Sequence, residues 1–255
     1  MNKNISIEVL ENAIADKDRL EALCFCLKIK GMFGSGALIK RNYSDLQRVM
    51  RISYRKLSRC IKNALKFSYM REEGGLYITN PINKGLCVKI QLNDVKAPNS
   101  MFKIQRELEK AIIAIHVRRV NYVAHNFKEA RGKVKSLRQY KKRKNYEKVL
   151  SRCGVTKKSF VTGRVSYIRL AQVANITRNR AIELVNEMTT EGSLVKELYF
   201  EEVNYFDEQK GENSFLTNGY LRRFFCPIKN SFSLFVQLSN KYRNNPKRYS
   251  TCLFK

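Results

Sequence analysis

Two segments of this chain align without a gap at an offset of 124 positions, and that repeat constrains the fold more than anything else in the sequence. The first runs Leu46-Gln47-Arg48-Val49-Met50-Arg51-Ile52-Ser53 and continues through Leu57, Cys60, Ile61 and Ala64. The second runs Leu170-Ala171-Gln172-Val173-Ala174-Asn175-Ile176-Thr177 and continues through Ala181, Leu184, Val185 and Met188. Each apolar position in one finds an apolar partner in the other. The spacing is that of a short helix, a tight turn, a hydroxyl residue suited to capping, and a longer amphipathic helix. Both segments therefore read as helix-turn-helix, an arrangement that sets the second helix at a steep angle and leaves its outer face open to a DNA groove.

Charge narrows the partner. The chain of 255 residues carries 50 Lys and Arg against 22 Asp and Glu, a formal charge of +28. Such an excess opposes compaction unless a polyanion neutralises it, which points to nucleic acid. No stretch is apolar for long enough to span a bilayer, and the polar, partly acidic start from Met1 to Asp18 does not read as a signal peptide. Seven scattered cysteines suggest free thiols in a reducing compartment, with Cys60 in the apolar stripe of a helix. The expected location is the host cytoplasm, in association with the nucleoid.

Along the chain, Leu20, Leu23, Cys24 and Leu27 predict a helix over Arg19–Lys30, ended by Gly31, Gly34 and Gly36. Ser44 is expected to start the short helix of the first segment, with Gln47 as its capping-box partner, and Ser53 to cap a long helix from Tyr54 to about Phe67. Two strand-like runs around Gly74-Gly75, within Tyr69–Thr79, predict a hairpin. A helix from Met101 to about Phe127 follows, with Ile104, Leu108, Ala111, Ile112 and Ile115 on one side. Residues 128–152 are strongly basic, and Gly154 and Gly163 bracket a break. After the second helix-turn-helix, Gly192-Ser193-Leu194 leads into a wing strand over Val195–Phe200. A turn at Gly211–Asn213 and further strand within Tyr220–Phe235 are expected, and Lys241 onward reads as a basic tail.

The two long helices differ in their outward residues. In the first, Arg55, Arg59, Lys62 and Lys66 lie opposite the apolar stripe, beside Ser53, Tyr54 and Lys56. In the second, the equivalent positions are Asn179, Glu183, Asn186 and Thr190, flanked by Thr177, Arg178 and Arg180. Arg reads guanine bidentately, Asn reads adenine and Glu accepts from cytosine, whereas Lys mostly finds phosphate. Lys141, Lys142, Arg143 and Lys144 form the densest basic run, with Tyr140 and Tyr146 interleaved, and are expected on the DNA backbone. Residues 183–212 reverse the sign, with nine acids against Lys196 and Lys210. The acidic region 197–212 is expected to face a replication or transcription protein, or solvent.

The catalytic readings mostly fail, although the plentiful acids at 183–212 leave a carboxylate-metal nuclease open without singling out a catalytic set. Gly31 to Gly36 has phosphate-loop spacing, but Ala37 stands where Lys is required. His116-Val117-Arg118-Arg119 has the His-x-x-Arg of tyrosine recombinases without that family's other basic residues and spaced tyrosine. His116 and His125 are the only histidines and form no His-x-His pair. Cys24-Phe25-Cys26 is the only close cysteine pair and does not make a zinc site. The expectation is a non-enzymatic protein with no cofactor and no metal.

The expected fold is mainly α with small β wings, an α+β class: two winged helix-turn-helix modules joined by a basic helical connector. The boundaries are 1–100 for the N-terminal module, 101–160 for the connector and 161–255 for the C-terminal module with its tail. Over 46–79 and 170–205 this pattern resembles the tandem winged-helix replication initiators of plasmids and phages. The resemblance implies binding to repeated or inverted origin sites, recruitment of host replication factors and repression of the chain's own gene. It also implies a C-terminal module that is the principal DNA reader and an N-terminal one that shares dimerisation; here the N-terminal helix is the more basic. The favoured function is sequence-specific binding of double-stranded DNA in replication initiation or transcription control. Non-specific packaging in a virion, and an enzyme that uses the modules as its grip, are the alternatives. Oligomeric state is left open.

Overall fold

The computed structural model describes residues 2–34, 36–39, 43–95, 97, 99–130, 164–198, 200–203, 221–226, 231–237, 240–244 and 249. It is mainly helical with small antiparallel sheets. The chain forms two compact units. The first gathers Met1–His116, Ile168–Leu194 and Asn244–Lys255; the second gathers Val117–Tyr167 and Val195–Arg243. Residues from all three stretches distinguished in the sequence thus contribute to the first unit.

The first unit begins with two elements that the polar N-terminus conceals. Strand β1 (Asn2–Ser6) is followed by helix α1 (Ile7–Ala15), which buries Ile7, Leu10, Ala13 and Ile14 at helical spacing. Asp16 then breaks and restarts the helix, its carboxylate accepting from the N–H of Asp18 (2.8 Å) and Arg19 (3.2 Å). Helix α2 (Lys17–Phe33) buries every residue from Ala22 to Ile29 and is the centre of this unit. Gly31 does not end it, contrary to the sequence expectation. A Cβ there would lie 2.5 Å from a methyl of Val95, so this glycine serves close packing, and the helix stops at Gly34, where φ is +57°.

Strand β2 (Ala37–Ile39) leads to helices α3 (Tyr43–Met50) and α4 (Tyr54–Lys66), then to strands β3 (Met70–Glu73) and β4 (Leu76–Thr79). Ser44 lies inside α3 rather than capping it. The hairpin turns on Gly74 and Gly75 at φ +57° and +73°, the left-handed pair that a two-residue turn requires. The sheet order is β2-β4-β3, all antiparallel, with Leu38 opposite Tyr77 and Arg71 opposite Ile78. Strand β5 (Cys87–Gln91) alternates buried Val88 and Ile90 with exposed residues and pairs with β1, placing Asn4 opposite Lys89. Helix α5 (Ser100–Ala130) covers the predicted span. No described helix is long and apolar enough to cross a membrane.

The second helix-turn-helix forms helices α6 (Tyr167–Ala174) and α7 (Arg178–Thr190), followed by strand β6 (Leu194–Glu197). Its bounds and those of α3, α4 and β3 stand at the same 124-residue offset, so the repeat read in the sequence is a repeat of secondary-structure elements. Strand β10 (Lys241–Asn244) pairs with β6, and Arg164 bridges to Lys241. This corrects the basic tail expected from Lys241. Tyr242 is fully buried, its ring 6.4 Å from that of Tyr167 and its carbonyl accepting from Asn121 Nδ2 at 2.7 Å. Where the first segment closes its hairpin with two glycines, the second inserts residues 198–240. Within them, strands β7 (Phe200–Val203), β8 (Leu221–Cys226) and β9 (Ser231–Gln237) form a sheet of order β7-β9-β8. The expected strand within Tyr220–Phe235 is present; the turn at Gly211–Asn213 lies outside the described residues.

Candidate nucleic-acid interface

The turn geometry of the two segments agrees bond by bond. Arg51 and Asn175, matching residues, take φ +52° and +51°. The next N–H reaches back to the short helix in both cases, Ile52 to Gln47 O (3.4 Å) and Ile176 to Ala171 O (3.0 Å). Ser53 Oγ accepts from Lys56 N–H (3.4 Å), and Thr177 Oγ1 from Arg180 N–H (3.3 Å). Two site candidates are therefore helix caps. Leu57, Cys60, Ile61 and Ala64 are buried in α4, and Ala181, Leu184, Val185 and Met188 in α7. Burial pushes the Cys60 thiol up to about 12, as expected of a core cysteine.

The first turn is fastened from beneath. The ammonium of Lys28, fully buried on α2, donates to Met50 O at 2.7 Å and satisfies a carbonyl at the end of α3. Burial, followed by the charges of Arg51 and Lys56, lowers its pKa. The second turn is fastened differently: Asn175 Nδ2 donates to Ile14 O of α1 at 3.0 Å.

On α4 the predicted basic face splits in two. Arg59 makes a bidentate pair with Glu21 of α2 (Nε at 2.9 Å, Nη2 at 3.0 Å), and Lys56 lies 3.5 Å from the same carboxylate. The Glu21 hydrogen bond raises the Arg59 pKa. Arg55, Lys62 and Lys66 remain exposed, and among the described residues no carboxylate pairs with them. At about 100° per residue these three lie within about 40° of one another, along about 16 Å of helix axis. Lys66 also sits 5.2 Å from the centre of the Phe67 ring, and exposed Tyr54 lies 5.6 Å from the Tyr43 ring.

On α7 the matching positions are Asn179, Asn186 and Thr190, all exposed. Thr190 donates to Asn186 O within the helix (3.0 Å), and Arg178 is exposed beside them. Arg180 and Glu183 are drawn into a cluster with α5. Arg180 pairs with buried Glu109 (3.2 Å) and with Glu183 (3.1 Å), and stacks 5.3 Å from the Phe102 ring. Arg106 holds Glu183 (2.8 Å) and Glu187. Lys110, only 3% exposed, holds Glu107 (3.1 Å), Glu187 (3.2 Å) and Glu191 (2.8 Å). The Glu187 hydrogen bond, reinforced by Glu183, raises the Arg106 pKa. Burial works against the charged form of Glu187, yet hydrogen bonds from Arg106 and Lys110 hold its carboxyl below the usual value of 4.5.

Sequence reasoning missed Glu21 and the α5 side of this cluster. A signal was present: Glu183, Glu187 and Glu191 recur every four residues on one flank of α7, and Arg106 and Lys110 do so on α5. Lys141, Lys142, Arg143 and Lys144 lie outside the described residues. Of the acidic region, Glu197 pairs with Arg243 (2.8 Å) and Lys241 (4.0 Å), whereas 204–212 lie outside the described residues. Among the described residues no group of His, Cys, Asp and Glu is placed to hold a metal ion. Compared with known protein families, curated proteins and solved structures, the chain gives no match.

Proposed function

We propose that this chain binds double-stranded DNA through two winged-helix modules, with the open stripe Arg55, Lys62 and Lys66 of α4 as its main phosphate contact. The observation that carries this reading is that stripe: three cations without a described acidic partner, on the second helix of a helix-turn-helix, in a chain of charge +28. In the first segment the strand before the helix pair and the two strands after it, in the order β2-β4-β3, support the winged-helix assignment; the second segment shares the helix pair and its turn. Its biological setting follows the resemblance: replication initiation or transcription control of a plasmid or phage, by a non-enzymatic protein of the host cytoplasm and nucleoid, with replication or transcription proteins as partners.

The test is fluorescence anisotropy of a 30-base-pair duplex with the full chain and with Arg55→Ala/Lys62→Ala/Lys66→Ala. The variant should lose about a hundredfold in affinity at ~0.15 M salt, with a salt slope shallower by about three, at unchanged thermal stability. Equal affinity in the two proteins would remove α4 from the interface. Selection from a random DNA library then separates regulation from packaging, since a specific site binds about 10³-fold or more above random sequence.

A further inference from the structure

Away from both helix-turn-helix segments, β1, the last turn of α2 and the loop before β5 enclose an open cavity of about 400 Å³. Lys3, Lys30 and Lys89 line it, with Asn2, Asn4, Gly34, Ile82 and Asn83. The walls are fixed by backbone bonds: Ser6 N–H donates to Ile82 O at 2.7 Å and Ile7 N–H to Leu86 O at 2.8 Å, which holds the loop against the end of β1. Lys30 is positioned by its own hydrogen bond to Asn80 O at 2.7 Å. Asn4 and Lys89 are register partners across the β1–β5 ladder and so share a face.

We propose that this cavity is a binding site for phosphate groups. Among the described residues no carboxylate pairs with any of the three lysines that line this cavity, and the Lys3 charge acts on Lys30. The C-terminal end of α2 offsets only about half a charge. Burial and the Lys3 charge lower the pKa of Lys30, a cost that an anion in the cavity relieves. Ammonium and amide N–H groups suit phosphoryl oxygens. Ile82 is the one apolar side chain in the lining and no aromatic is present, so a nucleobase would find no stacking surface. The ligand is thus recognised by its phosphates, which come either from a free inorganic or polyphosphate ion or from a nucleic-acid backbone. The second source rests on the DNA-binding reading above; the first does not.

The full chain, Lys3→Gln/Lys89→Gln and a control of equal charge change, Lys17→Gln/Lys103→Gln, are titrated with pyrophosphate by calorimetry and with a 30-base-pair duplex by anisotropy over a salt series. Thermal melts establish that each variant is folded. With a free phosphoryl ligand, pyrophosphate saturates one site, and the cavity variant alone loses at least about tenfold in affinity. With a backbone phosphate, pyrophosphate fails to saturate; the cavity variant weakens the duplex about tenfold beyond the control and lowers the salt slope by about two more. Should the cavity variant and the control behave alike in both titrations, the site does not exist. If the unaltered chain ignores duplex DNA, the reading of α4 falls and the pyrophosphate titration alone decides this proposal.

Discussion

At Arg55, Lys62 and Lys66 the first helix-turn-helix carries cations; at the three matching positions the second carries Asn179, Asn186 and Thr190, on a backbone with the same turn and the same caps. The flanks diverge as well. Beside α4, the carboxylate of Glu21 faces Lys56 and Arg59. Beside α7, Glu107, Glu109, Glu183, Glu187 and Glu191 face Arg106, Lys110 and Arg180. The positions that kept their character, apolar in the stripe and hydroxyl at the cap, are those that packing and capping dictate. Those that changed face solvent, where substitution costs little stability. One scaffold thus presents a cationic surface in one copy and a near-neutral to acidic one in the other.

The largest expected effect lies in the acidic flank. Lys110→Ala leaves Glu107, Glu187 and Glu191 crowded around a vacated, nearly buried position and should destabilise the chain by about 3 kcal/mol in chemical denaturation. A loss under about 1 kcal/mol would mean that the cluster is solvated and that the flanks differ less than their residues suggest.

Transplanting the surface tests the comparison directly. Asn179→Arg/Asn186→Lys/Thr190→Lys gives α7 the chemistry of α4 and should tighten binding to random duplex about tenfold at ~0.15 M salt. Unchanged affinity would place α7 out of reach of DNA and leave it a protein-facing helix.

A smaller gain is expected from Glu21→Ala, which releases Lys56 and Arg59 from their shared carboxylate and should strengthen duplex binding about threefold. Weaker binding instead would reveal that Glu21 positions Arg59 for contact.

The smallest effect is in acid. Glu183 and Glu187 have folded pKa values below their usual 4.5, so the stability they contribute is complete above that pH. It is lost as pH falls through the lower folded values. Thermal melts across this range should show a steeper decline for the unaltered chain than for Glu187→Gln; parallel curves would deny the cluster its role.

Much of the architecture was legible because local rules decided it. The apolar spacing of α3, α4, α6 and α7, the hydroxyl caps and the Gly74-Gly75 turn are properties of a few neighbouring residues. Strand β5 and helix α1 were legible in principle, through the alternation of Val88 and Ile90 and the helical spacing of Leu10, Ala13 and Ile14, but their polar surroundings masked them. Gly31 misled because a glycine that ends a helix and one that admits a neighbour such as Val95 look alike in one dimension. Strand β10 was hidden for a related reason: Lys241 and Arg243 make it read as a tail, whereas alternation buries Tyr242 between them.

What the sequence determined by itself, then, was that one short unit occurs twice and that only one copy carries a cationic outer helix, since periodicity alone sorts inward from outward residues. Which of those outward residues remain open was decided by tertiary structure. Glu21 lies 38 residues from Arg59, and Arg106 lies 81 residues from Glu187. Only folding brings such charges together, and once paired they no longer offer a partner what their positions on a helical wheel promised.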